Sequence, residues 1–213
     1  MSRDRLIALV AFLAGAGLVV GYAIWAMFLS TPKALDEAAI VPVMEGDQPQ
    51  IELVIAGEGA NGTVVLDLFQ DLAPQHVEQI MALAREGQYD GVVFHRVIDG
   101  FMAQTGDVQF GKLGENLARA GTGGSDRGNI PAEFSDHPFD VGVVGMARSS
   151  SPDSANSQFF IMFDAGPFLN GDYTVVGKVA EGMDVVMAIK RGEGQNGAVI
   201  GQPDVMQTVR VVE

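Results

Sequence analysis

From about residue 50 onward, apolar and polar side chains alternate in short runs separated by glycine-rich turns. Alternation with a period of two is typical of β-strands that bury one face. Residues 73–86 and 183–189 instead have apolar positions three and four apart, which predicts two helices. Many short strands with only two helices favour a mainly β fold, a closed antiparallel barrel with the helices at its ends. Strands are predicted at residues 51–56, 63–69, 92–98, 101–105, 141–147, 158–163, 173–179 and 206–212.

The period of two also predicts which neighbours share a face of a strand. Gln158 and Phe160 should share one face, with Phe159 pointing to the core, and Phe94 should share a face with Arg96. An arginine among apolar side chains is costly to bury unless a polar group docks beside it. Arg96 is therefore a candidate functional residue.

A long apolar run precedes the predicted domain, at residues 6–29, and contains no charged side chain. As a helix it would extend about 36 Å, which exceeds the roughly 30 Å hydrocarbon core of a bilayer. The run is longer than the apolar stretch of a cleaved signal peptide and lacks a clear Ala-x-Ala site at its outer end. We interpret it as a transmembrane signal anchor. A cleaved signal peptide, which would give the same compartment but a soluble product, remains the alternative.

Charges on the two flanks of this run predict its orientation. Arg3 and Arg5 precede it, whereas Lys33 is the only basic residue close behind it and Asp36 and Glu37 follow. Positively charged flanks stay on the cytoplasmic side of a membrane. Residues 1–5 should therefore be cytoplasmic, and the domain beyond the anchor should lie in the periplasm, tethered to the inner membrane by a single span.

Residues 30–49 are rich in acidic residues and proline and lack a sustained apolar period, so they predict an extended linker before the domain at residues 50–213. Gly17 and Gly21, within the anchor, have the Gly-x-x-x-Gly spacing that would let two anchors pack as a dimer. Small residues are common in membrane spans, and chance is the better interpretation of this spacing.

The chain has a formal net charge of −14 at pH 7 and contains no cysteine. A protein this acidic repels phosphate backbones, so we do not expect it to bind nucleic acid. The lack of cysteine excludes disulfides, thiolate nucleophiles and metals with cysteine ligands.

Seven segments, each with glycine, an aromatic residue or both, follow one another from residue 94, and the longest reads FHRVIDGFMAQTGD. The others are Gly121-Thr122-Gly123-Gly124, Ala132-Glu133-Phe134, Gly145-Met146-Ala147-Arg148, Ser157-Gln158-Phe159-Phe160-Ile161, Phe168-Leu169-Asn170-Gly171 and Gly177-Lys178-Val179. In their order and approximate spacing they closely resemble the cyclophilins of bacterial type, which are peptidyl-prolyl cis-trans isomerases. The resemblance extends from about residue 50 to the C-terminus.

The resemblance implies a closed barrel of eight antiparallel strands with two helices, and it assigns roles to individual residues. Arg96 would be the electrostatic catalyst, and Gln104 would position the substrate carbonyl or the guanidinium. The proline pocket would be formed by Phe101, Met102, Phe160 and Leu169. Ala147 and Arg148 would line the peptide groove, Arg148 mainly through its backbone, and Gly121 and Gln158 would line a neighbouring subsite. Phe168 and Tyr173 would complete the groove, at positions where many eukaryotic members have Trp and His.

Isomerisation of an X-Pro bond makes and breaks no covalent bond, but it faces a barrier of about 18–20 kcal/mol from amide resonance. As the amide twists, a lone pair localises on the prolyl nitrogen. A donor aimed at that nitrogen is engaged only in the twisted state, so it lowers the barrier. Arg96 would supply this donor, and the reaction requires no cofactor and no metal.

Simpler interpretations compete with these assignments. Arg96 could instead be the structural ion-pair partner of Asp99 or Asp107. His95, together with the serines of residues 149–151, could suggest a hydrolase, but the chain has no Gly-x-Ser-x-Gly motif.

The expected function is isomerisation of X-Pro bonds in exported or periplasmic polypeptides, so the expected partners are proline-containing polypeptides and the membrane. The alternative is a membrane-tethered peptide-binding, chaperone or assembly module whose isomerase activity is incidental. That alternative is motivated by the acidic linker, by the anchor spacing and by residues 108–120, which predict a surface loop with one short helical turn.

Overall fold

The computed structural model describes residues 48–212. The predicted anchor at residues 6–29, the segment before it and nearly all of the predicted linker lie outside the described residues. Within residues 48–212, none of the helices has the length and apolar character that a membrane span requires.

The described residues form nine strands and two α-helices. The strands are β1 (Gln50–Ala56), β2 (Gly62–Leu68), β3 (Val92–Val93), β4 (Arg96–Ile98), β5 (Met102–Thr105), β6 (Val143–Met146), β7 (Phe159–Met162), β8 (Val175–Glu181) and β9 (Val205–Val212). The helices are α1 (Pro74–Arg85) and α2 (Met183–Ala188), and single 3₁₀ turns lie at Leu117–Arg119, Pro152–Ser154 and Pro167–Leu169.

All nine strands belong to one antiparallel sheet, in the order β3-β9-β1-β2-β8-β6-β7-β5-β4. The strands at its two edges, β3 and β4, are consecutive along the chain and are separated only by Phe94 and His95. The sheet is therefore strongly curled, and its two edge strands lie close together because both belong to residues 92–98. The expected count of eight strands becomes nine because residues 92–98 form two short strands instead of one.

The break between β3 and β4 corrects one prediction about side-chain direction. Phe94 packs in the larger hydrophobic cluster together with Val92 and Val97. A regular strand would place Val97 on the opposite face from the other two. The chain therefore changes direction at His95, and Phe94 does not share a face with Arg96.

The smaller hydrophobic cluster, which we call the site core, lies apart from the main core. Phe160 belongs to the site core, whereas its neighbour Phe159 belongs to the main core and packs edge-on against Tyr89 at a ring distance of 5.7 Å. The predicted alternation along β7 is thus confirmed. The buried members of the site core are Phe69, Met102, Phe139, Val143, Phe160, Met162, Leu169 and Val175.

Candidate active site

Ten of the twelve residues predicted for the site surround one cavity of about 340 Å³. Gly121 and Gln158 instead line an adjoining cavity of about 500 Å³. The two cavities share Gln104, Ala147 and Arg148, so they form one continuous groove. The smaller cavity is lined by Arg96, Phe101, Met102, Gln104, Ala147, Arg148, Phe160, Phe168, Leu169 and Tyr173.

The hairpin of β4 and β5 places Arg96 directly opposite Gln104. Gly100, in the turn of this hairpin, has a φ of +65°, a conformation that glycine adopts without strain. The turn lets the adjacent Phe101 and Met102 both reach the cavity, which a regular strand would not allow. Arg96 Nη1 donates a hydrogen bond to Gln104 Oε1 at 3.1 Å.

A chain of side-chain amides continues from Arg96 to the glycine-rich loop. Gln104 Nε2 donates to Gln158 Oε1 at 2.9 Å, and Gln158 Nε2 donates to the Gly123 carbonyl at 2.8 Å. The carbonyl can only accept and the guanidinium can only donate, so both ends of the chain dictate the same orientation for the two amides. Gln104 is thus obliged to present its oxygen to Arg96.

The Arg96 side chain is half-buried at the wall of the cavity, beside the Met102 sulfur. Burial lowers the pKa of Arg96, but a guanidinium has so high an ordinary pKa that it stays charged. Among residues 48–212, no carboxylate lies within ion-pair distance of it. The cavity therefore presents a cation that is not neutralised by a neighbouring acid.

The two carboxylates that could have paired with Arg96 are engaged elsewhere. Asp99 accepts from Arg191 Nε at 2.9 Å. Asp107 is fully buried and accepts four backbone N–H bonds at 2.7–3.1 Å, from Gln109, Phe110, Gly121 and Gly123. Neither of the proposed structural ion pairs of Arg96 is present.

Three side chains of the apolar wall of the cavity belong to the site core. Met102, Phe160 and Leu169 are 1%, 5% and 6% exposed. The Phe160 ring stacks on Phe139 at 5.8 Å and meets the Tyr173 ring edge-on at 5.9 Å. This wall offers a ring-sized apolar surface next to the guanidinium.

Phe168 and Arg148 form the outer rim of the groove. The Phe168 ring is 66% exposed and lies 5.4 Å from the Phe101 ring. Arg148 lies over the Tyr173 ring at 4.4 Å and donates to the Asp172 carbonyl from Nε and Nη2. The Arg148 guanidinium is therefore held at the rim of the groove by Tyr173 and the Asp172 carbonyl.

Sequence reasoning missed two groups that shape the site. The carbonyl of Asn196, in the loop between α2 and β9, accepts from Arg96 Nε at 3.0 Å. Asp107 organises the glycine-rich loop through the N–H bonds described above. A backbone carbonyl leaves no signal in a sequence, whereas Asp107 is the last residue of the longest motif and the sequence suggested it only as an ion-pair partner of Arg96.

Comparison with known families matches residues 51–211 to the family described as cyclophilin type peptidyl-prolyl cis-trans isomerase/CLD. The chain belongs to this family. Among similar cyclophilins, a "Probable peptidyl-prolyl cis-trans isomerase" of Brucella suis is 66% identical over 142 residues, which cover 65% of this chain and 72% of that protein. "Peptidyl-prolyl cis-trans isomerase B" of Bacillus subtilis is 36% identical over 149 residues, covering 70% of this chain and 90% of that protein.

Solved structures of other cyclophilins share the fold. A cyclophilin type peptidyl-prolyl cis-trans isomerase of Cryptosporidium parvum aligns with a TM-score of 0.65 at 23% identity, over 78% of this chain and 99% of that chain. The cyclophilin AquaCyp293 of Hirschia baltica aligns with a TM-score of 0.60 at 27% identity, over 75% and 72% of the two chains. The chain described here is thus a cyclophilin-type isomerase with the mainly β fold of its family.

Proposed function

We propose that this cyclophilin lowers the barrier to X-Pro rotation through Arg96, which donates a hydrogen bond to the prolyl nitrogen in the twisted imide. The observation that carries the proposal is a charged guanidinium that has no carboxylate partner among residues 48–212 and lies beside an apolar surface formed by Met102, Phe160 and Leu169. The apolar wall fits a pyrrolidine ring, and the ring brings its nitrogen to the side of the cavity where the cation lies.

The chemistry requires only a donor that strengthens as the reaction proceeds. In the planar imide the nitrogen lone pair is delocalised and accepts a hydrogen bond poorly, so the guanidinium binds the twisted state selectively. One preorganised donor of this kind contributes about 2.7–4 kcal/mol to catalysis in other enzymes. A bound peptide that covers the half-buried guanidinium would strengthen the interaction further, because the local dielectric constant falls.

Replacement of Arg96 tests this mechanism. Arg96→Ala in the full-length chain should reduce kcat/KM for a short X-Pro peptide by about 100-fold or more, as expected for the loss of roughly 3 kcal/mol. Arg210→Ala is the matched control because it also removes one guanidinium. Arg210 lies on β9, outside the groove, and forms an exposed ion pair with Asp90. The control should retain activity within about two-fold.

Rates are measured from the cis-to-trans relaxation of the peptide, and circular dichroism checks that both variants fold. An Arg96→Ala protein that folds and relaxes the peptide at the wild-type rate would refute the proposal. Equal losses in the two variants would indicate a general effect of net charge instead.

We also propose that the enzyme acts outside the inner membrane, on exported polypeptides. The uncharged run at residues 6–29, the basic residues before it and the acidic residues after it support this location. Peptide binding independent of catalysis is a second candidate role, which the 500 Å³ polar cavity beside the proline pocket supports because it offers room for a further side chain. Full function of the Arg96→Ala variant in cells that lack the wild-type protein would favour that second role.

A further inference from the structure

A loop between α2 and β9 lies along the edge of β4, and we call residues 192–199 the clasp loop. Val97 N–H donates to the Gly197 carbonyl at 2.7 Å, and Gly192 N–H donates to the Val97 carbonyl at 2.9 Å. Both backbone groups of Val97 are therefore bonded to the clasp loop. This strand carries Arg96 as its first residue, so the loop and the guanidinium are fixed to the same short segment.

The clasp loop also contacts the guanidinium itself. The Asn196 carbonyl accepts from Arg96 Nε at 3.0 Å, while Gln104 accepts from Nη1 at 3.1 Å. Two acceptors on different nitrogens fix both the plane and the direction of a guanidinium, because its five N–H groups form a rigid fork. Within residues 48–212, Nη2 has no protein acceptor, which leaves its N–H groups available to a substrate.

We propose that the clasp loop is a positioning element for Arg96, and that Gly197 is the residue on which its position depends. The inference rests on the proposed role of Arg96 and adds that the Asn196 carbonyl orients its guanidinium. Without the Asn196 carbonyl the guanidinium would keep its charge but could rotate about its side-chain bonds. Catalysis would then fall more than peptide affinity, since the apolar wall that receives the proline ring does not involve the loop.

Gly197 allows the loop to approach β4 closely. A Cβ atom at this position would lie 2.4 Å from Ile98 Cγ1 and 2.8 Å from the Val97 carbonyl oxygen. Both distances are shorter than non-bonded carbon contacts permit, and the second contact is to backbone that cannot turn aside. An alanine at residue 197 would therefore push the neighbouring Asn196 carbonyl away from Arg96.

Gly194 provides a matched control within the same loop. Gly194 and Gly197 both have a φ of +65°, so alanine at either position meets the same backbone strain. A Cβ atom at Gly194, however, would have no neighbour within 4 Å. The pair separates the effect of close approach to β4 from the effect of a strained left-handed backbone.

The first test compares Gly197→Ala with Gly194→Ala in the full-length chain. We expect Gly197→Ala to lower kcat/KM for an X-Pro peptide about ten-fold and Gly194→Ala to lower it less than about two-fold. Calorimetric affinity for a short proline-containing peptide should stay within about two-fold in both variants. Equal loss of activity in the two variants, or a loss in Gly197→Ala that comes entirely from weaker peptide binding, would overturn the proposal.

A double-mutant cycle tests whether Gly197 acts through Arg96. In an Arg96→Lys background, which lacks the Nε donor, Gly197→Ala should cause no further loss of the residual rate. The same ten-fold loss in both backgrounds would show that the glycine acts independently of Arg96 and would overturn the proposal. Full activity of Arg96→Lys and Arg96→Ala would instead refute the role of Arg96 itself, so the two failures are distinguishable.

Arginine-selective ¹⁵N labelling supplies a readout that does not depend on activity. In the wild type, the Arg96 Nε–H should exchange with water more slowly than that of exposed Arg85, because it is bonded to the Asn196 carbonyl. This protection should persist in Gly194→Ala and be lost in Gly197→Ala. Equal exchange rates for Arg96 and Arg85 in the wild type would overturn the proposal even if the Gly197→Ala variant failed to fold.

Discussion

The orientations of the Gln104 and Gln158 amides are set by the groups at the two ends of their hydrogen-bonded chain, the Arg96 guanidinium and the Gly123 carbonyl. Gln104 presents its oxygen to Arg96 because Gln158 must present its own nitrogen to the Gly123 carbonyl. The sequence predicted that these glutamines belong to the site but not that they are coupled, because coupling needs the register of β5 against β7. The amide at residue 104 is therefore sensitive to an isosteric change.

Gln104→Glu should reduce kcat/KM about ten-fold while the protein remains folded. A carboxylate at this position would pair with the guanidinium and weaken its attraction for the prolyl nitrogen. Its second oxygen would also face the Gln158 oxygen, so Gln158 would have to turn and lose its bond to Gly123. Peptide relaxation kinetics measure the effect, with Gln207→Glu on the exposed side of β9 as a control of equal charge. Similar rates for the two variants would contradict the coupling.

At the scale of elements, helix α1 shows what periodicity predicts and what it omits. The predicted helix at residues 73–86 is confirmed as Pro74–Arg85, with Pro74 in its first turn. Its N-cap residue, Ala73, makes no side-chain cap bond. Glu133 satisfies the helix instead, because its carboxylate accepts from the N–H groups of Gln75 and His76 at 3.1 Å. A cap from so distant a residue cannot be deduced from local sequence.

The same cap makes the stability of the fold depend on pH. His76 is fully buried and donates from Nδ1 to Glu133 at 2.5 Å, whereas its Nε2 has no partner among the described residues. Burial lowers the pKa of His76 in spite of the nearby carboxylate, which favours the neutral imidazole in the folded chain. The pKa of Glu133 also lies below its usual value, because bonds from the imidazole and the helix outweigh the opposing effect of burial.

The lowered pKa values of His76 and Glu133 both make the folded state less stable as pH falls. The unfolded chain takes up these protons more readily than the folded chain, so the free energy of unfolding should decrease as pH falls below about 6.5 and decrease further as Glu133 is protonated. His76→Gln should lose less stability than the wild type between pH 7.5 and 5.5, because an amide can still donate to Glu133 but takes up no proton. His95, whose pKa burial also lowers, keeps part of the dependence in both proteins.

Urea unfolding of the full-length chain at pH 7.5, 6.5 and 5.5 measures these free energies. His76→Gln is expected to be less stable than the wild type at pH 7.5, since the imidazole fills a buried position. An identical change in the free energy of unfolding for both proteins over this pH range would contradict a lowered pKa of His76 in the folded chain.

Across the whole molecule, the sequence predicted the class of fold, the family and the set of side chains that meet at the groove. Alternation placed Phe159 in the core and Phe160 on the opposite face, and the family resemblance placed Phe160 at the proline pocket, as observed. Alternation placed Phe94 wrongly, because a break between two short strands leaves no mark in a pattern of polar and apolar residues. The contact of the Asn196 carbonyl with Arg96 was not predicted for a related reason, since every residue has a backbone carbonyl and the side-chain pattern does not show which one is used.

The location of the whole chain remains a prediction with a direct measurement. If residues 6–29 form an anchor, the full-length protein should sediment with membranes, resist extraction by high salt and be digested by protease added outside spheroplasts. Deletion of residues 1–29 should leave the protein in the soluble cytoplasmic fraction. Mass spectrometry of the mature N-terminus distinguishes an intact anchor from a cleaved signal peptide, and a mature chain that begins after residue 29 would contradict the anchor.

The fully buried Asp107 carboxylate has a consequence for how such a protein can diversify. One of its oxygens binds the chain just before the loop departs, at Gln109 and Phe110, and the other binds it on return, at Gly121 and Gly123. Residues 113–118 thus lie between two backbone segments that the same carboxylate binds. A segment of different length or sequence between these two bound ends would change the surface that a partner contacts. Gly121 and Gly123, which line the groove, would stay in place.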